Sequence, residues 1–86
     1  MTAVLYFTAK WCGPCRAMGP VIDKIYSENS SLFSLTKIDV DENTAMAKLY
    51  DIRSVPTFIF LKDGNVANRH TGAVSKDQFL TMVKSV

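Results

Sequence analysis

The 86-residue chain has only two cysteines, one histidine and one tryptophan. A structural zinc site asks for four ligands, and there is no second cysteine pair to complete one. No charge of one sign dominates: ten Lys and Arg stand against eight Asp and Glu, interspersed, for a formal +2. That balance gives no reason to expect nucleic acid or an anionic membrane as partner. No run approaches the roughly 20 apolar residues of a membrane span. The opening "TAVLYFTAK" has no basic leader and too short an apolar run for a signal peptide. Repeats, low-complexity tracts and linkers are missing too. These gaps predict a soluble, intracellular protein, folded as a single domain over 1–86, a length that leaves no room for two. Permanent disulfides are disfavoured in a reducing compartment, so two cysteines there point to catalysis or metal binding.

What is present is a core. Apolar residues make up 48% of the chain, enough for one core with little stability to spare. The continuous run "AVLYFT" (3–8) fits a strand buried on both faces. Met18, Val21, Ile22, Ile25 and Tyr26 recur at helical spacing and predict an amphipathic helix over about 13–27. Pro14 suits its first turn, whereas Pro20 removes an internal hydrogen bond and should kink it. "FSLTKIDV" (33–40) reads as a second strand. Asp41 is the expected cap of a short helix over about 43–50, with Ala45, Met46, Leu49 and Tyr50 facing inward. "TFIFLK" (57–62) and "NVANRHT" (65–71) flank Asp63-Gly64, a hairpin signal, and "SKDQ" (75–78) is a capping box. Phe79, Val83 and Val86 form the stripe of the last helix, with Leu80 and Met82 beside it. The order is β-α-β-α-β-β-α. It predicts an α/β fold of three layers (α/β/α): a four-stranded mixed sheet with its first two strands parallel across a helix and its last two a hairpin.

Both cysteines lie in "WCGPC" (11–15), where a buried strand gives way to a helix. The unpaired N–H groups and partial positive charge of a helix N-terminus favour a thiolate at Cys12, lowering its pKa from the ordinary thiol value. Cys15 lies one turn further in and is expected to be more buried. Such a pair opens a foreign disulfide in two steps: Cys12 attacks, then Cys15 displaces the substrate. Zinc binding and an inert staple are the competing readings. Zinc lacks ligands, and a staple over so few residues restrains little loop entropy. A C-x-x-C pair beside a βαβ pattern is the sequence signal for redox chemistry.

At these residues the chain resembles the thioredoxin family. The likeness takes in "WCGPC", Pro20, Lys37 with "IDVD" after it, "IRSVPT" (52–57), "KDG" (62–64) and "TGA" (71–73), in family order over nearly the whole chain. It implies a thioredoxin-like fold and a cytoplasmic protein-disulfide reductase with no bound cofactor and no metal. The redox-active disulfide Cys12–Cys15 is recharged by a thioredoxin reductase, with NADPH as the electron source. Protein disulfides are the implied substrates, and a monomer is expected. The resemblance also implies a docking surface of Trp11, Gly13, Pro14, Val55, Pro56, Gly72 and Ala73. Within it Pro56 is cis, Val55 offers its backbone to an extended substrate, and Gly72 and Ala73 form the flat side of the groove. A glutathione-coupled, glutaredoxin-like reductase and a non-catalytic binding subunit are the alternatives.

Two departures from the family pattern stand out. The strand and helix that usually precede "AVLYFT" are absent, so the strand at 33–40 should be an edge, blunted by Lys37 and Asp39. Where the family usually has a buried aspartate, six positions before the first cysteine, this chain has Tyr6. A phenol is not a carboxylate base, and the aspartate's pairing with the lysine at Lys37 goes with it. Tyr6 and Lys37 are therefore candidate modulators of proton transfer, with Lys37 reaching either solvent or the Tyr6 hydroxyl. Another reading is that Tyr6 only fills core volume. The family's tryptophan four residues before the first cysteine is Thr8 here. His70, Lys10, Arg16 and Lys62 are read as surface residues, the charged ones biasing partner choice.

Overall fold

The computed structural model describes residues 1–86. Its elements run β1 (Thr2–Thr8), α1 (Gly13–Glu28), β2 (Phe33–Asp39), α2 (Thr44–Leu49), β3 (Thr57–Lys62), β4 (Asn65–Thr71) and α3 (Lys76–Ser85). The sheet order is β2-β1-β3-β4. β1 pairs in parallel with β2 and antiparallel with β3, and β3 and β4 form the antiparallel hairpin. The order, the mixed sheet and the edge position of β2 are those predicted; β4 forms the other edge.

The continuous apolar run of β1 is explained by the layers on either side of it. Side chains alternate across a strand. Val4 and Tyr6 enter one core with Met18, Ile22 and Ile25 of α1 and Phe79 and Val83 of α3. Leu5 and Phe7 enter a second core with Ile38 and Ile59, against which Met46 and Tyr50 of the α2 side pack. Phe79 is the hub of the larger core: its ring lies 5.3, 5.8 and 5.5 Å from those of Phe33, Phe58 and Phe60. The turn between β3 and β4 has Asp63 at φ 51° and Gly64 at φ 86°. Two consecutive positive φ values match the twist of a two-residue hairpin, which is why Asp-Gly works there.

Three local expectations are corrected. Asp41 does not cap α2; Asn43 does, its side chain accepting from the Met46 N–H at 3.2 Å. The cap must lie immediately before the first helical residue, and α2 starts at Thr44. Ala45 and Leu49 are exposed, Leu49 by 72%. With only six residues, α2 offers the sheet a narrow strip, filled by Met46 and Tyr50. Val21 is also exposed, because Cys15, Met18, Ile22 and Ile25 make the buried face of α1 and Val21 lies at its margin.

Candidate functional site

The site is built where β1 hands over to α1. Cys12 is the N-cap of α1, with extended backbone (φ −90°, ψ 113°), and its sulfur accepts the Cys15 N–H at 3.2 Å. A sulfur here takes the place usually held by a Ser or Asp oxygen, so one of the orphan amides of the helix start is aimed at it. The first turn of α1 contains no acidic residue to offset its positive end. Cys12 and Cys15 are joined as a disulfide, with Cα atoms 5.2 Å apart.

The burial of the pair differs from expectation. Cys12 retains 5% exposure and Cys15 2%, so the predicted order holds but Cys12 is not openly exposed. Its side chain is drawn back to Cys15 and packs in a small cluster with Ala9, against Val40 and Val55. Its Sγ lies 3.6 Å from the Val55 carbonyl oxygen.

The loop facing the sulfurs is stitched to its neighbour. The Val55–Pro56 peptide bond is cis. The Gly72 N–H donates to the Pro56 carbonyl at 2.8 Å, and the Thr57 hydroxyl donates to the Ser54 carbonyl at 2.7 Å. Gly72 has φ +100°, a conformation that suits glycine because it has no Cβ. His70 Nε2 lies 3.2 Å from the Ala73 carbonyl oxygen, tying the next residue of that loop to β4.

Trp11, Gly13, Pro14 and Ala73 are exposed, and Val55 and Gly72 are half-buried. Pro56 is buried, contrary to its expected place on an exposed patch; its carbonyl is taken by the Gly72 N–H. A shallow depression of about 100 Å³ opens beside Trp11, Val55 and Ile52. A larger one, about 390 Å³, lies between Pro14, Ala17 and Val21 of α1 and Ala73 and Val74. Sequence reasoning missed Ala17 and Val21 as surface-lining residues: Val21 sits within the helical stripe that reads as core, and Ala17 carries no signal of its own.

Trp11 is held from one side: its indole N–H donates to Asp41 at 2.8 Å. No local pattern announces this pair. Asp39, two residues earlier, accepts from the N–H groups of Asp41 and Glu42 at 2.8 and 3.2 Å and so shapes the turn that presents Asp41.

Tyr6 and Lys37 are neighbours in the sheet register, yet their side chains part. The Tyr6 hydroxyl donates to the Cys15 carbonyl at 3.0 Å, and its ring stacks on Phe58 at 5.0 Å. Lys37 forms an ion pair with Asp23 of α1, with both side chains substantially exposed. Of the two alternatives expected for Lys37, it reaches solvent, where Asp23 pairs with it, and it does not bond the Tyr6 hydroxyl. A carboxylate is the better partner for an ammonium, and Asp23 is within reach at the surface.

A cysteine pair at a helix N-terminus, faced by a cis-proline loop on an α/β sheet, defines a thiol–disulfide oxidoreductase. Comparison with known proteins refines the class. The Thioredoxin family model matches residues 1–85, and the chain belongs to the thioredoxin family. Thioredoxin of Mycoplasmoides gallisepticum is 35% identical over 81 residues, covering 94% of this chain and 80% of that protein. Thioredoxin 1 of Synechococcus elongatus is 44% identical over 70 residues, covering 81% of this chain and 65% of that protein. The chain spans 50% of the length of bovine mitochondrial thioredoxin, at 32% identity. Among solved structures, a mutant thioredoxin from Halobacterium salinarum superposes with a TM-score of 0.89 at 33% identity, covering 98% of this chain and 73% of that one. A malaria-parasite thioredoxin-2, described as a component of protein secretion machinery, gives 0.93 at 31% identity, covering 100% and 84%. No helix of the chain is long and apolar enough to cross a membrane.

Proposed function

We propose that this chain, acting as one domain over 1–86, is a protein-disulfide reductase in which Cys12 is the nucleophile and Cys15 the resolving thiol. One observation carries the reading: the Cys12 sulfur caps α1 and receives the Cys15 N–H. The same amide and the helix dipole favour a thiolate once the pair is reduced. The Cys12 thiolate attacks a substrate disulfide, forming a mixed disulfide and expelling one substrate thiolate, which takes a proton from water. The Cys15 sulfur then bonds to Cys12 Sγ and the Cys12–substrate bond breaks. The Cys15 proton goes to the departing second sulfur. Two electrons pass from the cysteine pair to the substrate, and the disulfide Cys12–Cys15 is regenerated.

Trp11, Gly13, Pro14, Val55, Pro56, Gly72 and Ala73 frame the approach to Cys12. Exposed Trp11, Pro14 and Ala73 give apolar contact, Val55 gives backbone, and buried Pro56 holds the loop in shape. Tolerant docking of many extended protein segments follows from such backbone and apolar contacts. A thioredoxin reductase drawing on NADPH recharges the disulfide, in a cytoplasmic setting, with the protein as a monomer.

The test is reduction of a protein disulfide such as insulin, driven first by dithiothreitol and then by a thioredoxin reductase with NADPH. Turnover by the native protein is expected in both arms. A Cys15→Ser variant should instead stall as a mixed disulfide at Cys12. Recycling by glutathione alone would move the protein to the glutaredoxin-like reading. Absence of turnover in every arm, with the fold intact, would leave a binding subunit.

A further inference from the structure

Tyr6 occupies a position where a strand residue of this fold can reach the underside of the cysteine pair. It is 1% exposed, and its one hydrogen-bond partner is the Cys15 carbonyl. Cys15 is thus held on both sides of its Cα. Its N–H is fixed on Cys12 Sγ at 3.2 Å, and its carbonyl on the Tyr6 hydroxyl at 3.0 Å. The phenol ring cannot swing away, because it stacks on Phe58 with an interplanar angle of 13°.

The first turns of α1 need such a tie. Pro20 lies inside the helix, so the Arg16 carbonyl has no amide at position 20 to accept from. The segment that carries Cys15 is therefore one intrahelical bond short immediately after the cysteine. A carbonyl oxygen has two lone pairs, so the Cys15 carbonyl can take the Tyr6 hydroxyl in addition to a helical amide. The Tyr6 bond ties this part of α1 to the central strand.

Tyr6 spends its proton on a carbonyl. Asp23 is engaged with Lys37, Asp39 with the backbone of residues 41 and 42, and Asp41 with Trp11. No carboxylate accepts a hydrogen bond from either cysteine or from Tyr6.

We infer that Tyr6 is a positioning residue for the resolving step: it fixes Cys15 beneath Cys12 through the Cys15 carbonyl and does not itself exchange a proton. In that step the Cys15 thiol bonds to Cys12 Sγ and passes its proton directly to the departing substrate sulfur. This rests on the reductase reading, and the two can fail separately, because the attack by Cys12 and the resolution by Cys15 are measured apart.

The experiment uses rapid mixing of the reduced full chain with a small aromatic disulfide and with a protein disulfide. It compares the native protein, Tyr6→Phe, and protein carrying a fluorinated tyrosine at position 6 alone. Tyr6→Phe should slow resolution about threefold to tenfold, the scale of one lost hydrogen bond, while the Cys12 attack stays at the native rate. Fluorination makes the phenol more acidic but keeps its shape. It should leave the pH profile of resolution where it is in the native protein. Native-rate resolution in Tyr6→Phe overturns the inference, as does a pH profile that moves with fluorination. If Tyr6→Phe does not fold, the fluorinated protein still decides whether Tyr6 exchanges a proton. Loss of the Cys12 attack in the native protein would instead overturn the reductase reading.

Discussion

The indole N–H of Trp11 donates to the Asp41 carboxylate at 2.8 Å, although 69% of Trp11 lies open to solvent. The large aromatic next to Cys12 is thereby held in one orientation at the surface, where the proposed docking of a substrate chain would use it. Fixing it beforehand lowers the ordering cost that docking would otherwise carry.

Asp41→Ala should release the ring. Trp11 is the sole tryptophan, so its fluorescence anisotropy reads the change directly and should fall. KM for a protein disulfide should rise about threefold to tenfold. Asp41→Asn, which keeps an acceptor oxygen, should restore most of both. Unchanged anisotropy in Asp41→Ala would mean that the ring is held by packing alone.

Replacing Phe79 by Ala removes a fully buried ring that touches three others. The expected loss is about 3–5 kcal/mol, close to the whole stability of a small domain. Urea unfolding should show a sharply lower midpoint, or a largely unfolded protein at 25 °C.

The Lys37–Asp23 pair is exposed at both ends, with side-chain exposures of 42% and 59%. Asp23→Asn should therefore cost less than about 1 kcal/mol. Disulfide reduction should keep the native rate and pH profile. A shifted profile would reveal that Lys37, once freed, acts on the cysteine pair.

Loss of the α2 cap gives a third stability test. Asn43→Ala leaves the Met46 N–H without its partner and should cost about 1 kcal/mol. Asn43→Ala can be compared by urea unfolding with Asp41→Ala, which removes no cap and should cost less.

The elements were legible because each is written in local terms. The spans 57–62 and 65–71 flank the hairpin signal Asp63-Gly64, and β3 and β4 occupy them. "SKDQ" was read as a capping box, and Ser75 and Gln78 do exchange their bonds with the backbone. Cys12 and Cys15 declared themselves by spacing and by falling between a buried strand and a helix. Val21 misled because a helical stripe does not say where its edge meets a neighbouring loop. Leu49 misled because a helix of six residues is too short for its apolar positions all to find cover.

What the sequence alone determined was the run of strands and helices, the place of the cysteine pair within it, and the absence of a carboxylate at position 6. Those features depend on residues a few positions apart, whose geometry the backbone period dictates. The tertiary structure decided where the long polar side chains went: Tyr6 to the Cys15 carbonyl, Asp41 to Trp11, Lys37 to Asp23. Each of those partners sits on a different segment, and only the packing of those segments against one another brings donor and acceptor within reach.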